Sequence, residues 1–339
     1  MLISAYSTRY EHVPHDFTPV DEHFRWHTSG EQDAFFTADL AALEDYVRRA
    51  GAGQPGESIC LLLRHVRDTQ RSYTFTLDAS ESTQLTALAA WATTANAILV
   101  AEGAVLDPTG RPLLAGAHGA PTGRVPLTTE STHRAQTIRG WLASAHGLQV
   151  PGELPPVRSR DETRVRDASD VGLRIIALVM TNDFAGSVIA KKPLDPRAMR
   201  AVFPHAMSAL SPSERELMDA HDLDLARRLQ SGSEAANELL WAIDRTTLGW
   251  PSVACQPAKV KEIAFQGGEQ GFLEGIQARD LGELLDEYEC LASLKWALDN
   301  RDPSHAQAGS GADPVIVTQR CNALEWLLKP QLAWDDVAS

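Results

Sequence analysis

Hydrophobic residues in the first half of the chain follow two different periods. Residues 72–78 alternate between apolar and polar side chains, which predicts a strand with one buried face. Residues 59–66 form an almost continuous apolar run, which is typical of a strand covered on both faces. Apolar residues at helical spacing predict helices that begin near Thr37 and Ser80.

These elements occur along the chain in the order β-α-β-β-α-β when short strands at residues 2–7 and 97–101 are included. That order is typical of a ferredoxin-like α/β sandwich. A further helix at about residues 130–145 completes this predicted domain. We therefore predict a sandwich domain of mixed α and β structure at residues 1–150.

The apolar period changes to that of a helix beyond a Pro- and Gly-containing linker at residues 148–158. The sequence Ser211-Pro212-Ser213-Glu214 is a capping box with proline at the first helical position, so a helix should begin there. No convincing strand pattern follows Lys191. We predict an all-α domain at residues 157–339 and an α+β fold class overall.

Composition and charge narrow the classes of protein that fit this pattern. Of the 339 residues, 43% are hydrophobic, which is ordinary for a soluble globular chain. The 45 acidic residues outnumber the 31 basic ones, which leaves a net charge of -14. A chain this acidic lacks the basic face that nucleic acid or an anionic membrane surface requires, so we expect neither partner.

The cysteines and the apolar segments indicate a cytoplasmic protein. The four cysteines lie far apart without a C-x-x-C pair, which favours reduced thiols over disulfides or a zinc site. The N-terminal residues lack the pattern of a signal peptide. The most apolar window, residues 171–190, contains Arg174 and Asp183, so we expect no membrane span.

Gly51, Gly53 and Gly56 have the G-x-G-x-x-G spacing of a dinucleotide-binding turn. That turn requires a strand before the glycines and a helix after them, because the helix N-terminus meets the pyrophosphate. Here the predicted helix comes first and the predicted strand second. We therefore expect a loop at this position and no bound cofactor.

Four of the eleven histidines fall within a short acidic segment, at His12, His15, His23 and His27. Imidazole and carboxylate groups together suit zinc or a non-haem metal. Prolines interrupt the segment, however, and no spacing typical of a metal motif is present. We favour surface histidines without a metal, and keep the four residues as candidate ligands.

Arg320, Asp335 and Asp336 form the candidate polar site of the second half. One of the two aspartates can accept the guanidinium group of Arg320. In one interpretation the group is a structural clamp in which Trp334 fills an apolar gap. In the other, the three side chains line a catalytic site; we favour the clamp, because ion-pair networks often resemble active sites.

Three segments of the second half are distinctive in residue type and order: Glu238-Leu239-Leu240-Trp241-Ala242, Leu294-Lys295-Trp296-Ala297, and Arg320-Cys321-Asn322-Ala323-Leu324-Glu325-Trp326-Leu327 followed by Trp334-Asp335-Asp336-Val337. Through them, the second half resembles the uncharacterised bacterial family called domain of unknown function 4272. The resemblance covers about residues 160–338. It implies a separate helical domain and implies no activity.

Two hypotheses about function follow from these observations. The first is a non-enzymatic cytosolic interaction or regulatory protein that binds a protein partner or a second copy of itself, because no complete nucleophile, metal or phosphate motif is present. The alternative is a small-molecule hydrolase-type enzyme whose polar site lies in the helical domain or at the domain cleft. Arg320, Asp335 and Asp336 would then line that site.

Overall fold

The computed structural model describes residues 1–20, 25–28, 34–53, 56–78, 80–115, 120–152, 154–230, 232–300 and 311–338. The chain divides into two compact units. The sheet unit comprises Met1–Thr132 and Gly152–Thr163, and the helical unit comprises His133–Pro151 and Arg164–Ser339. The ranges 1–150 and 157–339 remain predictions about separable domains.

The sheet unit contains a five-stranded antiparallel sheet in the order β2-β3-β1-β4-β5. Its strands are β1 (Leu2–Ser7), β2 (Arg25–Thr28), β3 (Arg71–Thr76), β4 (Ala97–Ala101) and β5 (Ala104–Leu106). Helices α1 (Ala34–Ala50) and α2 (Gly56–Arg67) precede β3, and α3 (Ser82–Thr94) follows it. Strand β1 is central: Ile3 lies opposite Phe75 of β3 and Ala101 of β4.

Each face of the sheet has its own hydrophobic core, because successive side chains of a strand point to opposite faces. Ala5 belongs to the core that contains Trp91 of α3. Its neighbour Tyr6 belongs to the core that contains Leu62 and Val66 of α2. The alternating pattern at residues 72–78 correctly predicts β3, and the predicted short strand at residues 2–7 is β1.

The apolar run at residues 59–66 forms helix α2, so the predicted strand there is wrong. A short apolar run does not distinguish a strand from a helix. In α2, Leu62 and Val66 are buried one turn apart, while Arg64 lies at the edge of the buried face. The element order is therefore β-β-α-α-β-α-β-β, and the predicted order β-α-β-β-α-β is wrong because residues 59–66 are helical and β2 (Arg25–Thr28) adds an edge strand. The predicted fold class is confirmed: a sheet with helices precedes a helical region.

The described part of the helical unit contains no strand. Helix α4 (Thr129–His146) enters this unit at His133. The other helices are α5 (Ala168–Ile189), α6 (Pro196–Val202), α7 (Pro204–Ser208), α8 (Pro212–Ala220), α9 (Leu223–Leu229), α10 (Ser233–Ala242), α11 (Pro257–Phe265), α12 (Gly268–Leu273), α13 (Leu281–Asp299), α14 (Pro314–Leu328) and α15 (Trp334–Ala338).

Helix α5 lies at the centre of the helical unit and packs against α9, α10 and α11. Among the described helices it alone is long and apolar enough to cross a membrane, and 67% of its most apolar window is buried within the protein. Its Arg174 donates to Glu214 at 2.8 Å. Glu214 also accepts from the Ser211 backbone N–H at 2.8 Å, which completes the predicted capping box of α8. The buried arginine therefore has its partner inside the unit.

Glu162 anchors the returning segment Gly152–Thr163 within the sheet unit. One carboxylate oxygen accepts hydrogen bonds from Thr8 Oγ1 at 2.5 Å and Asn96 Nδ2 at 2.8 Å. The other accepts from the backbone N–H and the hydroxyl of Ser159, at 2.9 and 2.7 Å. A single buried carboxylate thus satisfies donors from three parts of the chain.

We predict that Glu162→Gln destabilises the protein by about 2–3 kcal/mol, because the amide replaces an acceptor with a donor that faces buried donors. Urea unfolding followed by circular dichroism measures the change. Glu102→Gln is the control, since Glu102 is exposed in the β4–β5 turn and should change stability by less than about 0.5 kcal/mol. Equal stability of the two variants would contradict the role assigned to Glu162.

Candidate functional site

Helix α10 carries two glutamates into the interior of the helical unit. Glu234 and Glu238 are four residues apart, so they lie on the same helical face. That face is buried, because α10 packs between α5 and α14. A carboxylate in this environment requires a partner or a proton, since an isolated buried charge is very unfavourable.

Arg320 of α14 supplies the positive charge for this pair. Its Nε donates to Glu234 Oε2 at 3.1 Å, and its Nη1 donates to the carbonyl oxygen of Gly249 at 2.9 Å. The second oxygen of Glu234 accepts from the backbone N–H of Cys255. Arg320 is buried, with an exposed fraction of 3%. Its hydrogen bonds therefore connect α14 to α10 and to the loop at Gly249 in the interior of the helical unit.

Glu238 has no comparable partner. It is completely buried, and neither of its carboxyl oxygens receives a hydrogen bond from a described residue. The nearer oxygen lies 3.9 Å from Arg320 Nε. Burial raises the pKa of Glu238 well above its usual range, and the carboxylates of Glu287 and Glu234 raise it further, while Arg320 opposes the shift. The neutral acid is therefore the favoured form of this side chain.

Next to these residues is a cavity of about 450 Å³, which we call the tryptophan cleft. Three indole rings and three carboxylates contribute to its surface, together with apolar side chains from α4, α13 and the loop after α10. The lining residues are Ile138, Trp141, Trp241, Leu248, Gly249, Trp250, Pro251, Glu283, Asp286, Glu287, Cys290, Leu291 and Leu294. The cleft therefore combines a flat aromatic wall with negative charge.

The aromatic wall is ordered by ring contacts. Trp250 stacks on His146 with ring centroids 3.7 Å apart and an interplanar angle of 3°. Trp141 meets Trp250 edge to face at 5.7 Å, and 46% of Trp141 is exposed. On the other side, the guanidinium group of Arg279 lies 5.1 Å from the ring centroid of Trp241. These contacts hold the indoles in place although they face solvent.

The three carboxylates of the cleft differ in their partners. Asp286 pairs with Arg134 at 2.9 Å, and Glu283 pairs with Arg279 at 3.3 Å. Glu287 receives no hydrogen bond or ion pair from the described residues. Burial raises the pKa of Glu287, and the charge of Arg320 acts in the opposite direction. Glu287 is thus the carboxyl group of the cleft that remains available to a ligand.

The cysteines near this cluster are poor nucleophiles. Burial raises the pKa of Cys255 to about 12, with a further contribution from Glu234. Burial also raises the pKa of Cys290, which lines the cleft, and nearby glutamates add to the shift. Both side chains therefore remain protonated thiols at neutral pH, and the nucleophilic thiolate form is suppressed.

A second depression, of about 800 Å³, lies beside α6 and α12. Its most distinctive polar contact is between His205 Nδ1 and Glu269 Oε1 at 2.6 Å. Glu269 also accepts from the backbone N–H groups of His205 and Ala206, at 3.2 and 2.8 Å. This carboxylate is occupied in capping α7, so we place the candidate site in the tryptophan cleft.

The three site residues predicted from the sequence have different partners. Arg320 binds Glu234, as described above, and makes no hydrogen bond or ion pair with Asp335 or Asp336 in the described residues. Asp335 accepts from the backbone N–H and hydroxyl of Ser213 at 3.0 and 2.9 Å, at the start of α8. Asp336 accepts from the backbone N–H of Ala333 at 3.1 Å.

The histidine cluster is described only in part. His15 Nδ1 lies 2.9 Å from the carbonyl oxygen of Phe17, and His12 Nδ1 lies 3.5 Å from the Tyr73 hydroxyl. The side chains of His23 and His27 lie outside the described residues. Within the part of the chain that is described, no group of three or more His, Cys, Asp or Glu side chains is arranged to hold a metal ion.

Glu234, Glu238 and Glu287 are the functional candidates that the sequence pattern did not single out. No histidine follows the first two at the Glu-x-x-His spacing of a di-iron bundle, so a search for that motif does not detect them. A different signal was present: Glu234 and Glu238 are in register with the apolar stripe of α10 that includes Ala235 and Leu239. A carboxylate within an apolar stripe is seldom buried unless it is paired.

The family described as domain of unknown function (DUF4272) matches residues 134–337. The match spans more than half of the chain, so the protein belongs to this family. The matched range contains the Arg320 cluster and the whole tryptophan cleft. No curated protein and no solved structure shows significant similarity to the chain.

We predict opposite effects for the two glutamates of α10. The pKa of Glu238 is higher in the folded state than in the unfolded state. This difference stabilises the folded protein fully at pH values below the ordinary glutamate pKa, and the stabilisation is lost as the pH rises through the pKa of the folded state. Glu238→Gln should therefore stabilise the protein by about 1–3 kcal/mol at about pH 8 and have little effect at about pH 5.

Glu234→Gln is the matched comparison, one helical turn away. It breaks the ion pair with Arg320 and should destabilise the protein by about 3–5 kcal/mol near neutral pH. Chemical unfolding of both variants and the unaltered protein at the two pH values measures these differences. Similar losses for both variants at the higher pH would show that Glu238 is ionised and paired.

Proposed function

We propose that this protein is a non-enzymatic cytosolic regulator whose helical unit binds a small organic molecule in the tryptophan cleft. The observation that carries the proposal is the cleft itself. Its volume of about 450 Å³ lies within the usual range for ligand pockets, roughly 300–1,000 Å³. Its mixture of indole rings with one available carboxyl group is the usual chemistry of such a pocket.

Partial exposure of the tryptophans supports a binding role. Trp141 is 46% exposed, and Trp250 and Trp241 are half-buried. Large aromatic side chains that meet at a surface recess provide much contact area with little loss of side-chain freedom. A ligand that covers them gains apolar burial without requiring a rearrangement of the ring contacts described above.

The position of the cleft within the helical unit supports a regulatory role. Its walls come from α4, α13 and the loop that Arg320 holds at Gly249. A ligand that binds only the folded unit stabilises it in proportion to RT ln(1 + [L]/Kd). We propose that this stabilisation alters the binding of a protein partner or of a second copy of the chain.

One observation favours an enzyme as the second candidate. Glu238 and Glu287 both have a raised pKa, and a carboxylic acid beside a cleft is a candidate general acid. In a hydrolase-type enzyme, Glu287 would donate the proton, because it lines the cleft. The raised pKa of Cys290 argues against a thiolate nucleophile, so this alternative relies on the carboxyl group of Glu287 as a general acid.

We predict that small fragments bind the unaltered protein in the tryptophan cleft. In the Gly249→Leu variant the leucine side chain fills the cleft, so the affinity for the same fragments should be at least ~10-fold lower. Gly249 lines the cleft, and an added Cβ would meet no heavy atom within 4 Å. Gly271→Leu is the matched control: it also has open space, and it lies on α12 outside the lining. Ligand-observed NMR with a fragment set of mixed charge measures binding.

The same samples distinguish the two candidate functions. The binding proposal expects each bound fragment to be recovered chemically unchanged. Conversion of a fragment that is abolished by Glu287→Gln would instead support the enzyme. The absence of any fragment binding, or equal binding to Gly249→Leu and the unaltered protein, would overturn the proposal that the cleft is a binding site.

A further inference from the structure

We infer that the tryptophan cleft is selective for organic cations, and that an ammonium or guanidinium group on an apolar body lies against Glu287. This inference rests on the proposed function, because it specifies the ligand of the same cleft. It is carried by two independent features of the helical unit: the charge of the lining and the indole rings beside it.

The charge of the lining is negative throughout. The ionisable side chains that line the cleft are Glu283, Asp286 and Glu287, together with the protonated thiol of Cys290, and no lining residue is basic. Arg279 and Arg134 each pair with one of the first two carboxylates. Glu287 remains without such a partner in the described residues, so the lining has one uncompensated carboxyl group.

The buried groups behind the lining do not supply the missing charge. Arg320 is the basic residue of this cluster, and its hydrogen bonds go to Glu234 and to the Gly249 carbonyl. Glu238 is completely buried, has no hydrogen-bond donor in the described residues, and favours its neutral form. Arg320 and Glu234 therefore compensate each other and Glu238 adds no charge, so this cluster leaves the carboxylate of Glu287 without an ion-pair partner in the described residues.

The indole rings provide a second reason for a cation. The face of a tryptophan ring attracts a cation within about 6 Å of the ring centroid. Trp241 already receives the guanidinium group of Arg279 at 5.1 Å. Trp141 and Trp250 lie on the lining beside the carboxylates, so a cationic ligand can contact an indole and Glu287 together.

Neutral and anionic ligands fit this environment less well. An apolar neutral molecule would cover Glu287 and remove its contact with water without replacing it, which disfavours the charged carboxylate. An anion would face the uncompensated carboxylate of Glu287 in a lining that contains no basic residue. The chemistry of the cleft therefore favours a cation over a neutral molecule, and a neutral molecule over an anion.

Three probes test this order of affinities: 2-phenylethylammonium, 2-phenylethanol and phenylacetate. All three carry a phenyl ring on a short carbon chain and differ in the charge of the terminal group. Isothermal titration calorimetry is performed at mildly alkaline pH, at which carboxyl groups ionise and the amine keeps its proton. We expect the ammonium probe to bind at least ~10-fold more tightly than the alcohol, and phenylacetate to bind most weakly. All binding should be lost in Gly249→Leu and kept in Gly271→Leu.

The role of Glu287 is tested by Glu287→Gln, which should reduce the affinity for the ammonium probe to about that for the alcohol. Glu262→Gln is the matched control, because Glu262 is exposed on α11 and is not part of the lining. It removes the same charge from the protein and should leave the preference unchanged. Should Glu287→Gln fail to fold, the order of the three probes on the unaltered protein still decides the inference.

The possible failures point to different conclusions. If the alcohol binds in the cleft as tightly as the ammonium probe, the cation inference is wrong and the proposed binding function stands. If fragments of other chemistry bind the cleft and none of the three probes does, the cation inference is also wrong. If neither the probes nor any fragment binds, both proposals are overturned.

Discussion

Arg320 carries a buried positive charge whose acceptors come from separate parts of the helical unit. Glu234 lies on α10, and Gly249 lies in the loop that leads to α11. A buried guanidinium group must have its donors satisfied, so these acceptors restrict how α10, α14 and the loop can be arranged. The same loop contributes Gly249, Trp250 and Pro251 to the tryptophan cleft. The geometry of the cleft therefore depends on this one ion pair.

The Arg320 cluster also explains why the cleft is electrostatically unusual. One guanidinium group compensates Glu234, while Glu238 is buried without a donor and Glu287 lines the cleft without an ion pair in the described residues. Burial favours the neutral form of a carboxyl group, and a nearby cation favours the ionised form. Under the proposed function, the stability of the helical unit and ligand binding in the cleft would be linked through the same few side chains.

Sequence patterns predicted the local structure better than the site. The capping box predicts the start of α8 at Ser211 correctly, because its signal is local. The run at residues 59–66 was mistaken for a strand, because short apolar runs suit both structures. The sequence predicts Asp335 or Asp336 as the partner of Arg320, but its partner Glu234 lies 86 positions away, and spacing alone does not show which helices face each other.

The central claim is that Arg320 donates its hydrogen bonds to Glu234 and Gly249 and none to Glu238, so that Glu238 stays protonated in the interior. Infrared spectroscopy of the protein labelled at its glutamate carboxyl carbons detects a protonated carboxyl group directly. At neutral pH, we predict a carboxylic-acid band that is absent in Glu238→Gln and present in Glu262→Gln. A spectrum in which Glu238→Gln removes only carboxylate absorption would show that Glu238 is ionised, and would contradict this account.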